Sequence, residues 1–214
     1  MSIAVFGASG ATGRRFVAAA SNAGLTLRLH YRSAPPDDPP DLATIVVGAL
    51  TDPTAVREAL RGSDAVVVLL GPRTGSKDIF CAKATRAVVD AMRGQQQTRL
   101  LCMGCAALGA MPGNVSMVMR AAAIATRRFR TEEEADDRAE QERIVRSSRL
   151  EWTLVKPPRL TDNGRGETVR AGIDLDVGLR STIARDTVAA FLLAEIETPR
   201  FVGQTVYVSG TPRA

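Results

Sequence analysis

The sequence has too few cysteines and too short apolar runs for several classes of protein. Its three cysteines in 214 residues are too few for a disulfide framework, so a reducing compartment is expected. No apolar run approaches the roughly 20 residues that a membrane-spanning helix needs. No signal peptide is expected, because Ser2–Phe6 runs directly into a glycine-rich loop. Together these absences predict a soluble, cytoplasmic protein.

The charge balance is mildly basic, with a formal net charge of +5. Arg127, Arg128 and Arg130 form a cluster, but acidic residues follow it directly from Glu132 to Asp137. A mixture of both signs is typical of a solvated helix, so no nucleic-acid partner is expected. A basic surface would also attract an anionic dinucleotide.

Apolar segments alternate with helical patterns along the chain. Strands are predicted at residues 2–6, 25–31, 44–48, 64–70, 98–103, 151–156 and 204–208, with short candidates at 167–170 and 173–177. Helices are predicted at residues 11–23, 52–60, 78–93, most of 115–148, and 185–196. The alternation predicts one α/β domain over residues 1–214. Its expected fold is a doubly wound Rossmann fold with a mostly parallel sheet of about six to seven strands and helices on both faces.

A glycine-rich loop connects the first predicted strand to the first predicted helix. It consists of Gly7, Ala8, Ser9, Gly10, Ala11, Thr12 and Gly13. Gly7 permits a tight turn, Gly10 lets a pyrophosphate approach the backbone, and Gly13 allows close helix packing. Amides at the helix start would face the phosphates, and the hydroxyls of Ser9 and Thr12 can add hydrogen bonds. The loop predicts a nicotinamide dinucleotide site; the alternative is a glycine-rich turn without a ligand.

The end of the second predicted strand bears on the choice of cofactor. A carboxylate there would bind the ribose 2′-hydroxyl of NAD. This chain instead has Arg32 and Ser33, and its next carboxylate is Asp37. Arg32 can pair with a 2′-phosphate and Ser33 can donate to it, so NADP(H) is expected in preference to NAD(H). The alternative for Arg32 is an ordinary surface arginine.

Several motifs together resemble the atypical short-chain dehydrogenase/reductase group, in its NAD(P)H-binding, NmrA-like branch. That branch includes biliverdin reductase B, which also reduces flavins. The resemblance covers nearly the whole chain and rests on residues 6–13, 64–73, 140–143, 150–162, 183–189 and 203–207. It implies that Leu70, Gly71 and Arg73 lie beside the adenine ribose and pyrophosphate. It also implies that Met103, Gly104 and Cys105 lie near the nicotinamide ribose, and that Pro157, Pro158, Arg159 and Leu160 cover the nicotinamide.

The sequence departs from biliverdin reductase B on the substrate side. Gly104-Cys105 stands where that protein has a Thr-Ser pair, and Arg138 stands in the segment where it has a histidine. Extra residues occur between about Leu108 and Glu132. The substrate-side part of the domain is expected to be built from about 105–148 and 157–182.

Acid–base residues of the ordinary short-chain dehydrogenases are missing. Those enzymes use a Tyr-x-x-x-Lys pair on a helix, and neither Tyr31 nor Tyr207 has a lysine four residues later. The single histidine, His30, falls in a predicted strand, so no Ser-His-Asp triad is expected. Alcohol dehydrogenation is therefore not expected, whereas hydride transfer to a flavin or quinone needs mainly a cofactor and a stacked acceptor.

Cys102 and Cys105 form a C-x-x-C pattern that can indicate a redox or metal site. Cys102 is expected to point into a buried strand, and zinc would have only Cys81 and His30 as further ligands. Two buried, apolar-like thiols and no metal are therefore expected. Trp152, at the start of a strand, is expected to belong to the core.

The leading hypothesis is an NADPH-dependent reductase that delivers hydride to a flavin, quinone or biliverdin-type small molecule. The proton would come from solvent or from a nearby group such as Cys105 or Arg159. The alternative is a non-catalytic, NmrA-like protein that senses the NADP(H) redox state through protein partners. A monomer or small homo-oligomer is expected, with no membrane partner.

Overall fold

Ten strands and five helices lie in the part of the chain that the structure describes. This computed structural model describes residues 1–71, 79–95, 98–108, 117, 124, 131–164, 167–178 and 180–211. The strands are β1 (Ser2–Phe6), β2 (Thr26–Tyr31), β3 (Ala43–Val47), β4 (Ala65–Val68), β5 (Arg99–Met103), β6 (Glu151–Lys156), β7 (Arg159–Thr161), β8 (Thr168–Gly172), β9 (Thr182–Ala184) and β10 (Gln204–Thr211). The helices are α1 (Ala11–Asn22), α2 (Pro53–Leu60), α3 (Cys81–Met92), α4 (Glu132–Arg146) and α5 (Arg185–Glu197).

Eight of the strands form one sheet in the order β3-β2-β1-β4-β5-β6-β10-β8. All neighbours are parallel except β10 and β8. The predicted Rossmann fold is confirmed, and the eighth strand is β8, which the sequence offered as a short candidate. The carboxyl ends of β1, β2, β4, β5 and β6 share one edge, where ligands of such sheets bind.

Apolar side chains cover both faces of this sheet. Along β1, Ile3 and Val5 pack in a layer with α1 and α5, while Ala4 and Phe6 pack in a layer with α2, α3 and α4. This follows from the alternation of side chains along a strand. The apolar strand β4 is buried along its whole length, as expected for a parallel sheet covered on both sides.

Side chains cap two of the helices. The Asp52 carboxylate accepts the amide of Thr54 at 2.9 Å, and Pro53 occupies the first turn of α2, as the sequence predicted. The Thr131 hydroxyl accepts the amide of Glu134 at 3.2 Å and starts α4. These caps define the residues at which α2 and α4 begin.

One local prediction is wrong, one pair of strands was not predicted, and one predicted stretch is not tested. The strand candidate at 173–177 is wrong: this segment is a turn followed by irregular chain, and Val177 is buried against Tyr207 and Ala106. Its apolar pattern therefore reflects a packed loop. The parallel pair β7 and β9 was not predicted, because strands of three residues are too short to show a period. Most of the predicted helical stretch 115–130 lies outside the described residues.

No helix among the described residues combines the length and the hydropathy that crossing a membrane requires.

Candidate functional site

Gly7 and Gly13 are required by the packing of the loop itself. Gly7 has φ +97°, a left-handed conformation that favours glycine, and a Cβ there would lie 2.7 Å from the carbonyl oxygen of Leu69. A Cβ on Gly13 would overlap the carbonyl oxygen of Gly7. The amide of Gly10 donates to that same oxygen at 3.0 Å. The turn after β1 is therefore held closely against the end of β4.

Gly10 is different, because its backbone conformation is open to any residue. It has φ −69° and ψ 161°, and a Cβ would lie 3.2 Å from the Gly7 oxygen, a tight but smaller conflict than at Gly7. Ser9, Gly10 and Ala11 are exposed, whereas Ala8 and Thr12 are buried. The missing side chain thus keeps an exposed face of the loop open beside the start of α1. This cradle fits a pyrophosphate group.

Arg14 lies across the loop, and the sequence reasoning missed it. Its guanidinium donates to the carbonyl oxygen of Ser9 at 2.5 Å, and the residue is exposed. The available signal was its position directly after Gly13, on the first turn of α1. A cation held there adds positive charge to an already favourable helix start.

Arg32 and Ser33 follow β2 and are both exposed. Since β2 pairs with β1 in a register that sets His30 opposite Phe6, the two residues leave the sheet at the same edge as the glycine loop. This is the position at which a 2′-phosphate contact was predicted.

The end of β4 forms the next part of the edge. Leu70 is buried and Gly71 is exposed. The Arg138 guanidinium, from α4, donates to the carbonyl oxygen of Leu70 at 3.1 Å. Arg73, also predicted to contact the cofactor, lies outside the described residues.

The turn after β5 is hydrogen-bonded to the end of β6. The amide of Gly104 donates to Val155 at 2.8 Å, and the amide of Ala106 donates to Pro157 at 2.9 Å. Cys105 lies between them and is half-buried. The structure therefore brings together Gly104, Cys105 and Pro157. Of the other predicted residues here, Met103 is buried, Pro158 and Leu160 are half-buried, and Arg159 is exposed at the start of β7.

A buried ion pair lies beneath this turn and was not predicted. The Lys156 ammonium is 2.7 Å from a carboxylate oxygen of Glu142, and neither side chain is more than 1% exposed. Lys156 also donates to the carbonyl oxygen of Leu108 at 3.0 Å. Burial lowers the pKa of Lys156, and the carboxylate of Glu142 opposes that shift. The pair fixes the turn after β5 onto β6 and α4.

The two tyrosines and the histidine are all buried. Tyr31, Tyr207 and His30 are each no more than 6% exposed. Burial raises the pKa of Tyr207 to about 12 and lowers the pKa of His30. The phenol of Tyr207 is a neighbour of Lys156, whose ammonium lies 5.7 Å from the ring centroid. This tyrosine and lysine come from two strands and are covered by the chain.

Two of the three thiols are buried and held in their protonated form. Cys81 and Cys102 are buried, and burial raises their pKa values to about 11 and about 12. The inward position predicted for Cys102 is confirmed. Trp152 packs against the core layer formed with α2, α3 and α4, which is also confirmed. Across the described ranges, no three histidine, cysteine or acidic side chains gather as a metal site would require.

A family sequence profile and several solved structures match nearly the whole length of this chain. The sequence profile of an NAD(P)H-binding family matches residues 7–199. A short-chain dehydrogenase/reductase from Veillonella parvula, solved with NADP, is 15% identical with a TM-score of 0.80, covering 97% of this chain and 93% of that one. The anaerobilin reductase ChuY from Escherichia coli O157:H7 is 17% identical with a TM-score of 0.75, covering 97% and 96%.

A candidate NADH-flavin reductase from Streptococcus pneumoniae is 21% identical with a TM-score of 0.77, and the match covers 99% of this chain and all of that one. At these identities the solved structures establish the shared fold. The family profile goes further, since it matches most of the chain and begins at the first glycine of the loop. This chain therefore belongs to the NAD(P)H-binding family.

Proposed function

We propose that the protein is an NADPH-dependent reductase that delivers hydride to a flavin, a quinone or a biliverdin-type acceptor. The observation that carries the proposal is a formed glycine loop at the ligand edge of a sheet in which both tyrosines and the single histidine are buried. Hydride transfer to a conjugated acceptor needs little beyond alignment of cofactor and acceptor, whereas alcohol chemistry needs a positioned acid. The flavin and anaerobilin reductase names of two structural neighbours agree with this class of acceptor.

In this proposal the glycine loop holds the pyrophosphate. The exposed face at Ser9, Gly10 and Ala11 receives it, and the amides and dipole of α1 favour its charge. Ala8, Thr12 and Gly13 support the loop from beneath, while Leu70 and Gly71 line the neighbouring strand end. The bound cofactor supplies the hydride.

Two residues, Arg32 and Ser33, favour NADP(H) over NAD(H). Arg32 and Ser33 are exposed at the end of β2, where the 2′-phosphate of NADP(H) would lie. Arg14 adds a guanidinium at the glycine loop, which suits the pyrophosphate of either cofactor. Arginine suits phosphate because its planar fork donates two parallel hydrogen bonds.

The acceptor is proposed to lie on the other side of the edge, over about 105–148 and 157–182. Met103, Gly104, Pro157, Pro158 and Leu160 would shape the space around the nicotinamide. Solvent supplies the proton, with Cys105 and Arg159 as candidate donors. The buried pair of Lys156 and Glu142 holds the floor of this part and keeps the turn after β5 in place.

Oxidation of NADPH by the purified protein tests the proposal, with FMN, riboflavin and a soluble quinone as separate acceptors. Gly10→Val is the matched negative variant, because its side chain would occupy the open face of the loop. Gly94→Val is the control, since Gly94 is exposed and a Cβ there would meet only the Ala91 carbonyl oxygen at 3.9 Å, an ordinary contact. Turnover that Gly10→Val abolishes and Gly94→Val retains supports the reductase. Tight NADPH binding with no turnover on any acceptor contradicts it and favours the non-catalytic sensor.

A further inference from the structure

Three side chains that carry a positive charge are buried in the part of the chain that the structure describes. Two of them pair with a carboxylate, and the third, Arg138, does not pair with any carboxylate of the described residues. Arg99, Arg138 and Lys156 are 6%, 8% and 0% exposed. Lys156 pairs with Glu142 at 2.7 Å, and Arg99 pairs with Glu195 at 3.0 Å. Within the described residues, no carboxylate lies within ion-pair distance of Arg138. Burying a charge without a counter-charge is costly, so this arrangement needs an explanation.

Neutral groups hold Arg138 in place. One terminal nitrogen donates to the carbonyl oxygen of Leu70 at 3.1 Å and to the side-chain oxygen of Gln141 at 2.7 Å. The Gln141 amide is itself held by the hydroxyl of Thr85 at 3.0 Å. The adjacent carboxylate of Asp137 is committed elsewhere: it accepts the amides of Cys81 and Ala82, each at 2.9 Å, at the start of α3.

The second terminal nitrogen of Arg138 lies under the exposed backbone of Gly71. A Cβ built on Gly71 would be 3.2 Å from it. Gly71 follows β4, and the end of β4 lies against the glycine loop. The amide of Leu69 donates to Phe6 at the end of β1 at 2.8 Å, and a Cβ on Gly7 would lie 2.7 Å from the Leu69 carbonyl oxygen. The guanidinium therefore reaches the ligand edge between the glycine loop and the turn after β5, where Gly71 places no side chain over it.

We propose that Arg138 is an anion subsite, in which the free side of its guanidinium fork binds a phosphate or carboxylate of the bound ligand. This rests on the proposed function, which places a dinucleotide and a conjugated acceptor at this edge. Arginine is weakly hydrated for a cation and matches the geometry of both anions. The bound anion supplies the negative charge that no carboxylate among the described residues provides for Arg138. It comes either from the cofactor pyrophosphate or from an acidic substituent of the acceptor.

Equilibrium binding to the wild type, two Arg138 variants and one control variant tests this subsite. The wild type, Arg138→Lys and Arg138→Gln are titrated by calorimetry with NADPH and with pyrophosphate, and by flavin fluorescence with FMN and riboflavin. Arg143→Gln is the matched control, because Arg143 lies on the same helix but is 64% exposed and pairs with Glu140. Binding is measured without turnover, so the result stands even if no acceptor is reduced and the proposed reductase fails.

Arg138→Gln removes a hydrogen bond between charged groups. We therefore expect it to weaken binding of the anionic ligand by roughly 10- to 150-fold. Arg138→Lys keeps the charge but loses the fork, so an intermediate loss is expected, and Arg143→Gln is unchanged. A loss confined to NADPH and pyrophosphate assigns the subsite to the cofactor. A loss for FMN but not riboflavin assigns it to the acceptor, and either result supports the subsite.

Wild-type affinity for all four ligands in a folded Arg138→Gln protein would overturn the inference. If that variant does not fold, Arg138→Lys decides the question, since it preserves the buried charge. Affinities in Arg138→Lys equal to wild type for every ligand would then show that the guanidinium only supports the Leu70 carbonyl.

Discussion

At the residue scale, cofactor choice is proposed to depend on Arg32. Arg32→Ala should weaken NADPH binding by roughly 10- to 150-fold, the value of a charge-assisted hydrogen bond. NADH binding should stay nearly unchanged, because NADH lacks the 2′-phosphate. Calorimetric titration with both cofactors gives the comparison, with Arg57→Ala on α2 as a control of equal charge change. An equal loss for the two cofactors would mean that Arg32 has another role.

Substitution of Cys105 distinguishes a mechanism with a dedicated protein acid from one in which the protein only positions the cofactor and the acceptor. A dedicated general acid contributes on the order of 10²–10⁴-fold to a rate. Because the proposed reaction can take its proton from solvent, Cys105→Ala should lower kcat by less than about tenfold, and Cys105→Ser should be close to wild type. NADPH oxidation under reducing conditions measures both. If the alanine variant binds NADPH but has no turnover, Cys105 is a catalytic residue.

The single histidine makes stability depend on pH in a predictable direction. Burial lowers the pKa of His30 in the folded protein, while the unfolded chain binds the same proton near a pH of about 6.5. Stability from the neutral ring is therefore complete above about pH 6.5 and is lost as the pH falls toward the native pKa. The slope cannot exceed about 1.4 kcal/mol per pH unit for one proton.

An NMR titration of the one histidine signal would measure the pKa of His30 in the folded protein. Urea unfolding across this pH range would measure how the free energy of unfolding depends on pH. His30→Leu should remove the part of the acid destabilisation that comes from the ring. A native His30 that titrates at or above its ordinary value contradicts the prediction.

At the scale of elements, a buried ion pair ties α5 to the amino ends of β5 and β6. The Glu195 carboxylate pairs with Arg99 and accepts the amides of Arg200 and Phe201 at 3.0 and 2.8 Å. Glu195→Gln leaves Arg99 without a counter-charge and should reduce the free energy of unfolding by about 3–5 kcal/mol.

Urea unfolding tests this, with Glu197→Gln as the control because Glu197 is exposed on the same helix. NADPH affinity of the folded variant should be unchanged, since the pair lies at the opposite edge from the glycine loop. A destabilisation no larger than that of Glu197→Gln would show that the pair contributes little.

The features predicted most accurately from the sequence are those formed by residues that are close together in the chain. The strand, glycine loop and first helix were found nearly to the residue, since the loop and the patterns around it are contiguous. The contacts of Glu142 with Lys156 and of Arg138 with Leu70 could not be predicted, because they depend on how α4 packs against β4 and β6. The nearest signals were a lysine between an apolar strand and two prolines, and an arginine in the segment where a relative has histidine.

At the scale of the whole molecule, the ligand edge belongs to both core layers, so cofactor binding should stabilise the domain as one unit. A cofactor at 100 times its Kd adds about 2.7 kcal/mol to the free energy of unfolding. At equal concentrations, NADPH should therefore raise the urea midpoint more than NADH does. A larger shift with NADH would reverse the proposed cofactor preference.

The position of β10 has a consequence for synthesis of the protein on the ribosome. This strand lies between β6 and β8, and among the described strands β8 has no other neighbour in the sheet. About thirty residues separate the end of β8 from the start of β10, and translation at about 5–20 residues per second takes roughly 2–6 s to add them. During that interval the emerging β8 has no strand to pair with, and the β6 edge is open. Both edges are then accessible to chaperones or to other nascent chains, and translation pauses in this stretch would lengthen the exposure.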